Sequence, residues 1–187
     1  MIPGKFSCLA LMGSPRKGGN TALLLDAFCR GFQQTYSQAF MEIIPVAEKI
    51  ITPCRGCDAC KGAEKSCIIK DDMQTIYPSI EKGDMLILAS PIYWWHMTAQ
   101  LKSCVDRFYG MDYSLFQGKK IVFLSTFGST QAESGFTIAC DSIASMACFL
   151  GMDFVLAWGI STGELSLKEN PIALKEAERL GREFLFT

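Results

Sequence analysis

"FSCLALMGSPRKGGNTALLLDAFCRGF", residues 6–32, joins three signals in one run. "FSCLALMG" (6–13) is almost wholly apolar and reads as a buried strand. "TALLLDAFCRGF" (21–32) brings Leu25, Phe28 and Phe32 onto one face of a helix. Between them lies "GSPRKGGNT" (13–21), a polar, glycine-rich loop. Strand, loop and amphipathic helix together make the first half of a parallel crossover unit. If that reading is right, the pattern should repeat.

It does. "FMEIIPV" (40–46), "DMLILAS" (84–90), "KKIVFLSTF" (119–127) and "DFVLAWGI" (153–160) read as four further strands. "DDMQTIYPSIEKG" (71–83) reads as a helix with a capping-box-like start at Asp71 and Gln74, which Pro78 must kink or interrupt. "TAQLKSCVDRFY" (98–109) turns Leu101, Cys104, Val105 and Phe108 inward. A helix from about 134 to 150 carries Phe136, Cys140, Ile143, Ala147 and Leu150 on one stripe, with Gly151 suited to its end. A last helix opens at Asn170-Pro171, with Ala173, Ala177, Leu180 and Phe184 on its core face. Five apolar strands between amphipathic helices imply an α/β fold, a parallel sheet covered on both faces. The short, regular spacing predicts one doubly wound domain over residues 1–187, with the flavodoxin-like strand order 2-1-3-4-5. A ligand then belongs at the carboxyl ends of the strands, beside the switch point between strands 1 and 3.

Composition narrows the function classes. Of 187 residues, 49 % are hydrophobic and 20 % charged, and the formal net charge is −1. No basic excess points to nucleic acid, and no apolar stretch is long enough for a membrane. "MIPGKFSCLALMGS" reads as a first strand rather than a secretion signal, so the expected location is the cytoplasm. The nine cysteines are then expected as thiols. Cys8, Cys29, Cys104, Cys140 and Cys148 fall in apolar patterns and read as core residues.

Three loops share the ligand-binding rim. In "GSPRKGGNT", Ser14, Asn20 and Thr21 offer donors, Arg16 and Lys17 offer charge, and a helix N-terminus follows. This is neither the G-x-G-x-x-G nor the Walker pattern, but its donor density suits a phosphate. "SPIYWWHMT" (90–98) sets Tyr93, Trp94 and Trp95 side by side, suited to stacking on a flat ligand. His96, the only histidine, reads as a residue near the ligand mouth. "STFGSTQAESG" (125–135) is polar and small, suited to the edge of the same ring. A phosphate cradle, an aromatic wall and a polar loop describe a mononucleotide with a flat ring, and FMN fits best.

On "GSPRKGGNT", "CRGCDACKGAEKSCIIKDDM" and "ASPIYWWHMTAQLKSCVDRFYG", in this order, the chain resembles the NAD(P)H-dependent FMN reductases, and among them the iron–sulfur flavoprotein branch. The resemblance spans roughly residues 6–160. It implies non-covalent FMN, an NAD(P)H donor, a small-molecule acceptor (quinone, nitro or azo compound, or free flavin), and homodimers or homotetramers. It implies that Ser14, Arg16, Asn20 and Thr21 hold the phosphate. Pro91, Ile92, Tyr93 and Trp94 would border the isoalloxazine, with Thr126, Phe127 and Gly128 at its other edge. The chemistry would be the flavin's, with no side chain required as nucleophile or obligatory acid. The alternative function is an electron carrier linked to ferredoxin, although strong acidity, usual in carriers, is missing here.

"PCRGCDACKGAEKSC" (53–67) leaves its question open. Cys54, Cys57, Cys60 and Cys67 have the spacing C-x2-C-x2-C-x6-C. Compact sets of this kind ligate [4Fe–4S] clusters, and the iron–sulfur flavoproteins have a similar pattern. Zinc is chemically possible, but structural zinc usually pairs two knuckles across a longer insert. Thiols packed beside the flavin or in an interface, without metal, are the third reading.

Overall fold

A strand that is apolar at every position needs cover on both faces, and the chain supplies it. A computed structural model describes residues 6–63 and 65–184. Residues 1–5, the beginning of the stretch read above as strand rather than leader, lie outside the described residues, as do 64 and 185–187. Strands β1 (Ser7–Met12), β2 (Phe40–Pro45), β3 (Met85–Tyr93), β5 (Lys120–Phe127) and β6 (Asp153–Ser161) form a parallel sheet in the order β2-β1-β3-β5-β6. This is the flavodoxin-like order expected from the sequence. Strand β4 (His96–Met97) was not anticipated. It folds back antiparallel on the end of β3, and two residues are too few to leave a periodic trace.

Pleating sorts β1 between two cores. Cys8, Ala10 and Met12 pack with helices α1 (Asn20–Thr35) and α5 (Pro171–Arg182). Leu9 and Leu11 face the opposite layer, built from α2 (Met73–Lys82), α3 (Ala99–Asp106) and α4 (Phe136–Leu150). Several helix ends follow the sequence reading. Asn170 Oδ1 accepts from the Ala173 amide at 3.1 Å, and Gly151 takes φ 69° after α4. Others differ. Helix α2 runs through Pro78 without interruption. Asp71 is no capping-box residue, because its carboxylate is taken by Arg107 and by the amides of Thr52 and Met73. Helix α3 ends early, in a 3-10 turn at Arg107–Gly110. Cys8, Cys29 and Cys104 are buried as expected, whereas Cys140 is half-buried and Cys148 exposed on the outer side of α4.

Two glycines let α1 and α5 touch backbone to backbone. A Cβ on Gly31 would stand 1.8 Å from the Glu178 carbonyl oxygen, and one on Gly181 would stand 2.0 Å from that of Phe28. Neither helix can yield without shifting the core behind it. Gly181→Ala is therefore expected to destabilise the fold by about 2–3 kcal/mol, despite alanine's better helix propensity. Urea unfolding checks this: the midpoint should fall at unchanged slope.

Candidate functional site

Buried hydroxyls fix the rim where β1, β3 and β5 end. Thr98 Oγ1 donates to the Gly13 carbonyl at 2.7 Å and caps α3 by accepting from the Leu101 amide at 3.3 Å. Ser90 Oγ accepts from the Thr98 amide at 3.0 Å, and Ser125 Oγ donates to the Ser90 carbonyl at 2.9 Å. Ser90, Thr98 and Ser125 are fully buried. Each hydroxyl is satisfied inside the protein, so the three loops above them are held in place before any ligand arrives.

Above this layer the helix end remains open. Helix α1 begins after Gly19, and no side chain among the described residues caps its first turn. A first turn without a cap presents donors and a positive dipole end to whatever lies in front of it. In front lies a cavity of about 290 Å³ lined by Ser14, Arg16, Gly19, Asn20, Thr21, Pro91, Ile92, Tyr93, Thr126, Phe127, Gly128 and Thr162. Thr21 Oγ1 and Thr126 Oγ1 lie 2.8 Å apart and tie the first loop to the third. Asn20 is partly occupied, since its Oδ1 accepts from the Leu167 amide. A second, more open hollow of about 400 Å³ adjoins the first through Ile92, Phe127 and Gly128, with Trp94, Trp95, Ser129, Glu133 and Ser134 on its other sides.

Ten of the eleven cofactor residues expected from the sequence thus line one cavity, and the eleventh, Trp94, stands in the adjoining hollow. Lys17 does not join them; its Nζ lies 3.2 Å from the Glu48 carboxylate on the surface. Gly19 and Thr162 were missed. Thr162 follows β6, and its amide donates to the Phe127 carbonyl at 2.7 Å, which brings a fourth loop over the cavity. His96 lines a different groove, between α3 and α4, with Lys102, Tyr109 and Phe149. Partial burial, together with the charge of Lys102, holds its imidazole below the usual histidine range.

The four clustered cysteines are brought together in turn. Cys54, Cys57, Cys60 and Cys67 all line one small recess, with Arg55, Asp58, Arg107, Tyr109 and Gly110 among its other walls. Among the described residues, no group of three or more ligand-type side chains is placed tightly enough to hold a metal ion. The loop is clasped from outside. Lys61 Nζ lies 4.3 Å from the centroids of both Tyr109 and Tyr113, and the Tyr109 hydroxyl donates to Asp58 Oδ1 at 2.7 Å.

With this geometry in view, comparison with known proteins is decisive for the family. The profile of the NADPH-dependent FMN reductases matches residues 6–162. The chain belongs to that family. Membership makes it a flavin oxidoreductase that uses FMN. It is 29 % identical to an iron–sulfur flavoprotein of Archaeoglobus fulgidus over 177 residues, covering 92 % of this chain and 76 % of the relative. An iron–sulfur flavoprotein of Methanocaldococcus jannaschii is 37 % identical over 99 residues, 53 % of this chain and 50 % of that one. The match thus spans only about half of the second relative's length. The crystal structure of azoreductase AzrA superposes with a TM-score of 0.74 at 16 % identity, over 95 % of this chain and 100 % of that one, which supports the fold.

The aromatic turn between β3 and β4 breaks a local rule. Tyr93 pairs with His96 across a two-residue loop, and both loop residues have positive φ, 45° at Trp94 and 63° at Trp95. That pattern suits Asn-Gly, not two tryptophans. Trp95 is seated against Gly135, where a Cβ would come within 2.3 Å of the Trp95 Cα. Trp94 is 89 % exposed, with its ring centroid 5.6 Å from that of Trp95. Strain at an exposed position is not offset by burial. Trp94→Asn should therefore raise the unfolding free energy by about 1 kcal/mol, read as a higher urea midpoint. An unchanged or lower midpoint would mean that the turn is not strained.

Proposed function

We propose that the chain is a single-domain NAD(P)H-dependent FMN oxidoreductase whose flavin occupies the two adjoining hollows at the strand ends. The observation that carries this reading is the uncapped N-terminus of α1 facing a cavity lined by Ser14, Arg16 and Thr21, beside an aromatic wall. The donor set fits a phosphate: backbone amides, two hydroxyls, an amide side chain and one guanidinium, with no carboxylate among the residues of that cavity. Hollows of this size fit a mononucleotide. Bound FMN would supply hydride acceptance, which no side chain can provide, together with one- or two-electron storage.

The protein's own residues bind, orient and shield. Ser14, Arg16, Asn20 and Thr21 hold the phosphate. Pro91, Ile92 and Tyr93 border the ring on one side, and Thr126, Phe127 and Gly128 border it on the other. Trp94 and Trp95 leave one side of the outer hollow open to a flat donor or acceptor. The acceptor belongs to the quinone, nitro or azo class, or is free flavin. No helix among the described residues is long and apolar enough to cross a membrane. Unpaired thiols suit a reducing, cytoplasmic setting. The exposed Ile138 and Phe149 on α4 support a homodimer or homotetramer.

A second reading rests on a specific observation: all four cysteines of the 54–67 segment line one recess. Gly110 lets Cys67 pack closely, since a Cβ there would stand 3.3 Å from the Cys67 Cβ. Four cysteine sulfurs are the donor type of a [4Fe–4S] cluster, which would require the loop to draw them closer together than it does here. On this reading the chain also passes single electrons to a ferredoxin-like partner.

Arg16→Ala and Thr21→Ala should each weaken FMN binding at least tenfold, about 1.4 kcal/mol, while His96→Ala leaves it unchanged. Flavin content after dialysis checks this, and equal content in all three variants would remove the phosphate assignment. Steady NAD(P)H oxidation with a quinone supports the enzyme over the carrier. Its absence, with rapid reduction by ferredoxin, reverses that order.

A further inference from the structure

The 3-10 turn Arg107–Gly110 carries three residues that touch the cysteine loop, and two have been accounted for: Tyr109 clasps it and Gly110 makes room. Arg107 remains. Its side chain is 1 % exposed. Nη1 donates to Asp71 Oδ2 at 2.7 Å and to the Thr52 carbonyl at 2.9 Å, and Nη2 donates to the Ile69 carbonyl at 3.4 Å. Thr52 and Ile69 flank the cysteine segment on either side, so the guanidinium staples the neck of the loop. Asp71 is fixed from behind, accepting from the amides of Thr52 at 2.9 Å and Met73 at 3.1 Å. Burial pushes the Asp71 carboxyl up, but the hydrogen bonds from Arg107 and these amides outweigh it and hold it below the usual carboxylate range. Both groups stay charged.

The pair is not symmetric about the recess. Arg107 lines it and Asp71 does not. One donor is also left over. Arg107 Nε is the one buried side-chain nitrogen or oxygen among the described residues without a hydrogen-bond partner. A buried guanidinium N–H without a partner costs free energy, and a staple needing only Nη1 and Nη2 does not explain why it is kept. The guanidinium belongs to a residue that lines the four-cysteine recess, so anionic sulfur held there would stand beside a buried cation. A buried cation also acts at short range with little screening by salt, unlike the exposed Arg55.

We propose that Arg107 makes the four-cysteine recess an anion-attracting site, a buried cation anchored by Asp71 that positions and stabilises anionic sulfur held by Cys54, Cys57, Cys60 and Cys67. This rests on the second reading above, that the four sulfurs act as one centre. Arg107 is a positioning residue, since it acts on whatever the cysteines hold and touches no reacting ring.

The test uses the metal-free chain. Cys67 is alkylated with iodoacetate, which is anionic, and with iodoacetamide, which is neutral. The ratio of the two rates cancels the thiolate fraction and reads the local potential. The ratio at Cys67 should fall at least threefold in Arg107→Gln, stay near wild type in Arg107→Lys, and rise in Asp71→Asn. Cys148, on α4, should not change. A purely structural staple would leave the Cys67 ratio the same in every folded variant, and that result overturns the proposal. If Arg107→Gln does not fold, Asp71→Asn decides alone, and a ratio that fails to rise overturns it. Iron and sulfide analysis of protein purified without oxygen tests the cluster reading separately. Where a cluster is present, Arg107→Gln should make its reduction at least tenfold less favourable, about 59 mV for one electron; an unmoved potential counts against the proposal. Where iron and sulfide are absent, the cluster reading fails, and the alkylation ratios still decide the role of Arg107.

Discussion

The site depends on where the polar groups at the strand ends find partners. Beneath the rim, the hydroxyls of Ser90, Thr98 and Ser125 are bonded within the protein and bind the ends of β1, β3 and β5 to the start of α3. On top of the rim, the first turn of α1 has no side-chain cap. The lower layer gives rigidity, because its polar groups are buried and paired. The upper layer leaves the first turn of α1 open toward the cavity, an arrangement suited to an anion. Preorganisation of this kind reduces the ordering cost of binding, and flavin chemistry needs little more from a protein than position and environment.

The same division accounts for the aromatic turn. Gly135 lets the Trp95 backbone seat itself at the start of α4. Trp94 is left in solvent in a conformation that its side chain disfavours. The turn thus keeps local backbone strain at an exposed position. Nothing comparable occurs in the sheet, where β1, β3 and β5 are close-packed and apolar.

Much of this was legible in the sequence. Strand order followed from apolar runs alternating with amphipathic helices, and the donor-rich and aromatic loops expected at the rim line one cavity and the hollow beside it. What stayed hidden was long-range. Thr162 enters the cavity only because the loop after β6 crosses over the end of β5, and nothing local marks it. Asp71 looks like a helix cap from its neighbours, yet its partner Arg107 lies 36 residues away. Strand β4 is too short for any period. Cys148 sits in an apolar run but turns outward, because α4 is apolar on more than its core face.

The measurement that tests the account most directly is the affinity of the flavin-free protein for FMN compared with riboflavin, by quenching of flavin fluorescence. The two differ only in the phosphate. If the open first turn of α1, with Ser14, Arg16 and Thr21, is what holds the ligand, FMN should bind at least about a hundredfold more tightly, some 2.8 kcal/mol. Equal affinities would place the phosphate elsewhere and contradict the assignment on which the proposed function rests.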